Sequence, residues 1–206
     1  TAQDGATATQ PVRQSRVAMA IGAINVESEF GIVLIAAALI AFEVIIEGFC
    51  VSAARATTFG SAAFQERDDV QAFKKLHDDD SLLHDKSASL KGIKWEKGGY
   101  PDMGNGPVGR LLSYADWHRL ARAQRAHYNA VEGVATAVTL TIIAGLALPI
   151  PAAACGFAIF LGRIMYGCGY RGAGPSGRLV GVLLIDLALL GQLGMSIYSG
   201  LKVAGV

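Results

Sequence analysis

Residues 30–51 read FGIVLIAAALIAFEVIIEGFCV. This run decides the fold. Its 22 residues carry two charged side chains, and as a helix they extend about 33 Å at 1.5 Å per residue, enough for the ~30 Å hydrocarbon core of a bilayer. The two charges are Glu43 and Glu47. Four residues apart, they fall on one helix face. Acids at that depth are costly and turn towards protein or water, not lipid. Glu47, near the end of the run, reaches towards the interface, whereas Glu43 lies deeper and needs a partner.

Working outward, three more apolar blocks follow. Residues 111–148 begin polar, with Arg119, Arg122, His127 and Asn129, and become apolar from Gly133 onward. This pattern predicts one long helix that starts in water and enters the membrane. The LPIP run at residues 148–151 ends it in a tight turn, because proline lacks an N–H and cannot continue a helix. A third block runs to about residue 169, the polar turn RGAGPSGR occupies 171–178, and the fourth block holds Asp186 near its middle. The expectation is an all-α integral membrane protein, a four-transmembrane-helix antiparallel bundle over residues 29–206. Its helices are placed at about 30–52, 111–148, 151–169 and 178–202. A long polar loop at about 60–110 joins the first two, and a polar tail fills 1–28. Ala and Gly are frequent in the blocks, as suits helices that must approach closely without a hydrophobic driving force between them.

Composition narrows the classes. The chain has 206 residues, 52% hydrophobic, and a net charge of +1, so one domain is expected and nothing points to a nucleic acid partner. Cys50, Cys155 and Cys168 form no CxxC and lie in or beside apolar blocks, which predicts buried free thiols, without a disulfide framework or zinc site. The HDDD run at residues 77–80 has no compact ligand spacing and reads as solvated surface, with a short surface helix over 69–83. The tail has Arg13 and Arg16 but no continuous apolar core. It is no intact secretory signal, and it fits the remainder of a processed organellar presequence. Lys and Arg concentrate in the long loop and the 171–178 turn, which puts both on one side of the bilayer.

Two stretches carry chemistry. In RAQRAHYNAVEG, residues 122–133, Arg122, Arg125, Asn129 and Glu132 recur at three- and four-residue spacing where the helix enters the membrane. Such a face suits a small zwitterion: Arg for a carboxylate, Glu for an ammonium, Asn for amides. Spacing alone favours the other reading, an arginine cluster on lipid phosphates with Glu132 as counter-ion. In GRIMYGCGYRGAGPSGR, residues 162–178, Arg163, Tyr166 and Tyr170 share a face and the GxGP turn delivers Arg178 to the next helix. An arginine beside a thiol lowers its pKa. The tyrosines also fit an interfacial aromatic belt.

Together the two stretches resemble the membrane-associated proteins in eicosanoid and glutathione metabolism. RAQRAHYNAVEG is similar to that family's RAxxNxxE signature, and GRIMYGCGYRGAGPSGR to its GRxxYxxGYxxGxPxxR signature. The nearest resemblance is to the microsomal glutathione transferase 3 type, over about residues 111–201. It implies a glutathione-dependent transferase or peroxidase acting on lipophilic electrophiles or lipid hydroperoxides. Glutathione is the implied co-substrate, in a homotrimer embedded in membrane lipids of the endoplasmic reticulum or of a plastid or mitochondrial membrane. Arg125, Asn129 and Glu132, with Arg163, Tyr166 and Tyr170, match positions that hold glutathione, and Arg178 matches the arginine that activates its thiol. No metal is implied. Four features depart from the pattern: Gly133 where an aromatic residue is frequent, the long loop, Glu43 and Glu47, and Asp186. They suggest the alternative of a non-catalytic structural subunit in a large organellar membrane complex, photosynthetic or respiratory.

Overall fold

The computed structural model describes residues 29–78 and 95–205. The tail at 1–28, with Arg13 and Arg16, lies outside them, as do 79–83 of the expected surface helix. Every described element is helical. Four helices are long: α1 (Phe30–Thr57), α4 (Tyr114–Gly145), α5 (Pro149–Ala173) and α6 (Leu179–Ala204). Two are short, α2 (Ala62–Gln65) and α3 (Asp68–Asp78), and 3-10 turns cover Gly109–Leu111 and Gly174–Ser176. Six α-helices therefore stand where four spans and one surface helix are expected, α3 falling on the expected surface helix and α2 added because the connection between the first two long helices folds.

Local chemistry sets the ends. α4 starts at Tyr114, not 111, because Ser113 is extended and its Oγ accepts the Asp116 N–H at 3.1 Å. The same hydroxyl donates to the Asp116 carboxylate at 2.7 Å, so an orphan donor of the first turn is satisfied. Pro149 opens α5 at a position where a missing N–H costs nothing. α5 runs past the expected 169 to Ala173, where Gly174 takes a φ of 73°. α1 continues past 52 to Thr57, since Arg55 in its last turn is buried by the folded connection.

Contacts fix the topology. A Cβ on Gly145 would meet Val33, and one on Gly48 would meet His127, so α1 and α4 are antiparallel. By the same reasoning α1 and α5 are parallel, through Gly156 against Ala36 and Gly167 against Glu47. The α5–α6 contact is antiparallel and very close: a Cβ on Gly181 would sit 2.6 Å from the Gly162 carbonyl oxygen. The bundle is thus up-down-up-down. One end carries the α1–α4 connection and the α5–α6 turn. Polar rungs join α4 to α6: Gln192 donates to Thr141 Oγ1 at 2.7 Å, and Ser196 and Ser199 to the carbonyls of Leu140 and Ala144, each at 3.1 Å. Helices α1, α5 with its following turn, and α6 are long and apolar enough to cross a membrane. α4 is not among them, because of the charges in its first half.

The connection caps the bundle end instead of trailing as a loop. Phe59, Phe64 and Val70 join Ala54 of α1 and Leu120 and Ala123 of α4 in a core that Trp95 and Val108 flank. Arg55 reaches up into it, donating to the carbonyls of Gly98 at 2.8 Å and Asp102 at 2.5 Å, with its guanidinium 4.1 Å over the Tyr100 ring. The Asp102 carboxylate accepts the N–H groups of Gly104, Gly106 and Gly109 at 2.7, 2.9 and 2.7 Å. Burial pushes its pKa up, and these backbone bonds outweigh that, leaving it below the ordinary aspartate value.

Candidate functional site

The site is a groove of about 240 Å³ on the flank of the bundle, where α4, α5 and α6 meet near the capped end. Asn129, Arg163, Tyr166, Arg178 and Asp186 line it, with Val182, Ile185 and Leu189 as its apolar wall. Arg163 is buried, and its Nη1 donates to the Asn129 carbonyl at 3.0 Å and to Asn129 Oδ1 at 2.8 Å. Room for that guanidinium comes from Gly133: a Cβ there would overlap Arg163 Nη2. Gly133 is therefore the socket of an arginine.

Tyr166 and Tyr170, one turn apart on α5, stack with centroids 5.8 Å apart and planes 6° from parallel. Arg178, at the entry to α6, donates from Nη1 to the Tyr166 hydroxyl at 3.2 Å and lies 5.8 and 5.7 Å from the two ring centroids. The GxGP turn makes this reach possible, because it folds α6 back until Gly177 meets Gly169. Arg178 stays half-exposed and has no carboxylate partner among the described residues, so it presents positive charge at the groove rim.

Helical spacing puts Arg125, Asn129 and Glu132 on one side, but only Asn129 enters the groove. Arg125 and Glu132 turn outward and pair with each other at 3.6 Å, their side chains 50% and 60% exposed. Spacing identifies a face and cannot tell which of its side chains turn in. Two arginines gain roles that the sequence reading did not give them. Arg122 donates to the carbonyls of Arg171 and Gly172 at 3.3 and 3.1 Å, satisfying the C-terminal end of α5. Arg171 pairs with Glu47, whose carboxylate occupies the space that Gly167 leaves open. Glu47 thus finds its partner inside the chain. Glu43 is buried as well, on the α1 side of Arg163. Arg171 carries a usable signal in the sequence: a cation level with a membrane acid on a neighbouring helix.

The MAPEG family model matches residues 88–198, which include α4, α5 and every groove-lining residue of α6. The chain belongs to the MAPEG family. No curated protein and no solved structure matches it. As a MAPEG protein with apolar helices of membrane length, it is an integral membrane protein. Both MAPEG signature stretches fall in the matched region, and the groove is where they meet.

Proposed function

We propose that this MAPEG protein is a glutathione-dependent transferase or peroxidase of the microsomal glutathione transferase 3 type. It would work as a homotrimer with all four long helices in an endoplasmic-reticulum or organellar membrane. The observation that carries this reading is the Arg178–Tyr166 contact at 3.2 Å, over a stacked tyrosine pair and beside Arg163 and Asn129. Two guanidiniums in a partly desolvated groove raise the local potential, which favours a thiolate over a thiol. Arg163 is pinned by Asn129, so its charge is oriented before any ligand arrives, and little reorganisation is needed. The thiolate sulfur then attacks an electrophilic carbon held in the adjoining lipid. An S–C bond forms while either the acceptor's π bond opens and the resulting carbanion takes a proton from solvent, or a leaving group departs with its electron pair; the thiol proton has already passed to solvent. The flank position suits such acceptors, because the groove wall of Val182, Ile185 and Leu189 continues into the lipid-facing surface of α6.

The test is thiolate formation, read by ultraviolet difference absorbance when glutathione is added to detergent-solubilised protein. Arg178→Ala is expected to abolish the thiolate signal while leaving the helix content unchanged. Wild-type thiolate formation in that variant would remove Arg178 from the mechanism.

The folded cap favours a second reading, a structural subunit of a larger membrane complex. It shares an apolar core with the ends of α1 and α4 and has a buried arginine anchor, more order than a linker needs, and it offers a shaped surface outside the bilayer. The composition of the gently solubilised native particle separates the two. A fixed place in a large assembly without glutathione supports the subunit, and a free homotrimer carrying glutathione supports the enzyme.

A further inference from the structure

We infer that the cap holds a second binding site, for a flat, uncharged aromatic molecule whose single hydrogen-bond acceptor is read by Trp95. The inference stands apart from the glutathione reading. The site is a pocket of about 350 Å³ between α3 and the chain from Trp95 to Val108. That volume falls within the roughly 300–1,000 Å³ of small-molecule pockets. Its walls include Phe73 and His77 of α3, with Trp95, Tyr100, Pro101 and Pro107. Such walls favour a flat ring, which packs on aromatic neighbours offset or edge to face.

The walls are set before a ligand arrives. Trp95 meets Phe73 and His77 edge to face, with centroids 5.9 and 5.7 Å apart. The Arg55 guanidinium, 4.1 Å from the Tyr100 centroid, ties that ring to the end of α1. Rigid walls lose little freedom on binding. One polar group of the pocket stays uncommitted. Trp95 Nε1 is buried and has no hydrogen-bond partner among the described residues. A buried donor without an acceptor is costly and rare in folded proteins. Water suits the place poorly, because a buried water needs about two to four polar partners, and rings and prolines offer few. An apolar body with one acceptor answers both features. The charges nearby are already engaged. The Asp102 carboxylate accepts three backbone N–H groups, and Arg55 donates to two carbonyls. Lys74 lies over the Trp95 ring at 5.8 Å and donates to the Gln65 carbonyl. His77 pairs with Asp78 at 3.3 Å, and Glu96 is exposed to solvent. The ligand is therefore neutral.

The experiment measures equilibrium dialysis of two probes against the full chain in lipid nanodiscs, with protein-free nanodiscs subtracting partition into lipid. The probes are coumarin, whose ring carbonyl is an acceptor, and 2H-chromene, in which a methylene replaces that carbonyl. Wild type is expected to prefer coumarin by about 3- to 10-fold, the range of one neutral hydrogen bond. Trp95→Phe is expected to erase that preference by weakening coumarin alone, and its unchanged affinity for 2H-chromene serves as the folding control. Trp117→Phe, which removes the other indole of the chain, is expected to keep the preference. No binding or no preference in wild type overturns the inference without any variant. A preference retained in Trp95→Phe, or lost in Trp117→Phe instead, places the acceptor's partner elsewhere and also overturns it. Loss of both probes in Trp95→Phe overturns it too, since the indole would then shape the pocket and not read the acceptor.

Discussion

Replacing Gly133 with alanine sets two effects of opposite sign against each other. Helix propensity alone favours the change by about 1 kcal/mol, because alanine loses less backbone freedom than glycine in a helix interior. Geometry opposes it. The new methyl overlaps Arg163 Nη2, and the guanidinium is held by two bonds to Asn129 at 3.0 and 2.8 Å. A hydrogen bond to a charged group contributes about 1.5–3 kcal/mol, and leaving a buried cation unpaired costs more. Loss of even one of the two bonds outweighs the propensity gain, so Gly133→Ala is expected to destabilise by about 0.5–2 kcal/mol net. Gly194→Ala is the matched control, since open space surrounds that position on α6, and it is expected to be neutral or stabilising. The assay is reversible unfolding of purified protein in mixed micelles, followed by circular dichroism, with glutathione affinity measured alongside. A Gly133→Ala protein as stable as Gly194→Ala would refute the socket argument and the placement of Arg163 with it.

The cap and the buried ion pair give further predictions. Asp102→Asn turns an amide N–H₂ towards one of the three backbone donors and is expected to open the 102–109 turn, read as faster hydrogen exchange at Gly104, Gly106 and Gly109. Acid acts in the same direction: the folded carboxyl lies below its ordinary value, so its stabilisation is present above the usual aspartate pKa of about 3.9 and is lost as pH falls through the folded value. Exchange at those amides that is unaffected by acid would remove Asp102 as the staple. Glu47→Gln leaves Arg171 without its acid and is expected to cost about 3–5 kcal/mol, whereas Glu47→Leu with Arg171→Met recovers most of the loss. Additive effects across Glu47→Leu, Arg171→Met and the double variant would show that the pair contributes no coupling.

Much of the bundle is legible in the sequence because its signals are local. The 30–51 run, the LPIP turn and the RGAGPSGR turn each announce themselves within a few residues. The cap is not legible, because what folds it is distant. Arg55 looks like a helix-end cation, and only its acceptors more than 40 residues downstream make it an anchor. Asp102 sits in a Gly/Pro-rich run that reads as turn, and its three donors come from the same run by a backbone path that no periodicity describes. The site divides likewise. Signature spacing brings Asn129, Arg163, Tyr166 and Arg178 to one groove. Arg125 and Glu132 turn outward and pair with each other, an orientation that residue spacing does not encode.

The join between α1 and the cap has a mechanical consequence. The 28 residues of α1 extend about 42 Å at 1.5 Å per residue, longer than the ~30 Å of hydrocarbon. Arg55 lies in the last turn and is bonded to backbone carbonyls of the cap. Sliding α1 inwards would drag those carbonyls, Asp102 and the charged face of α3 into lipid, at several kcal/mol for each group stripped of water. The cap therefore acts as a depth stop. A thinner bilayer is met by tilting the helices and not by sinking them.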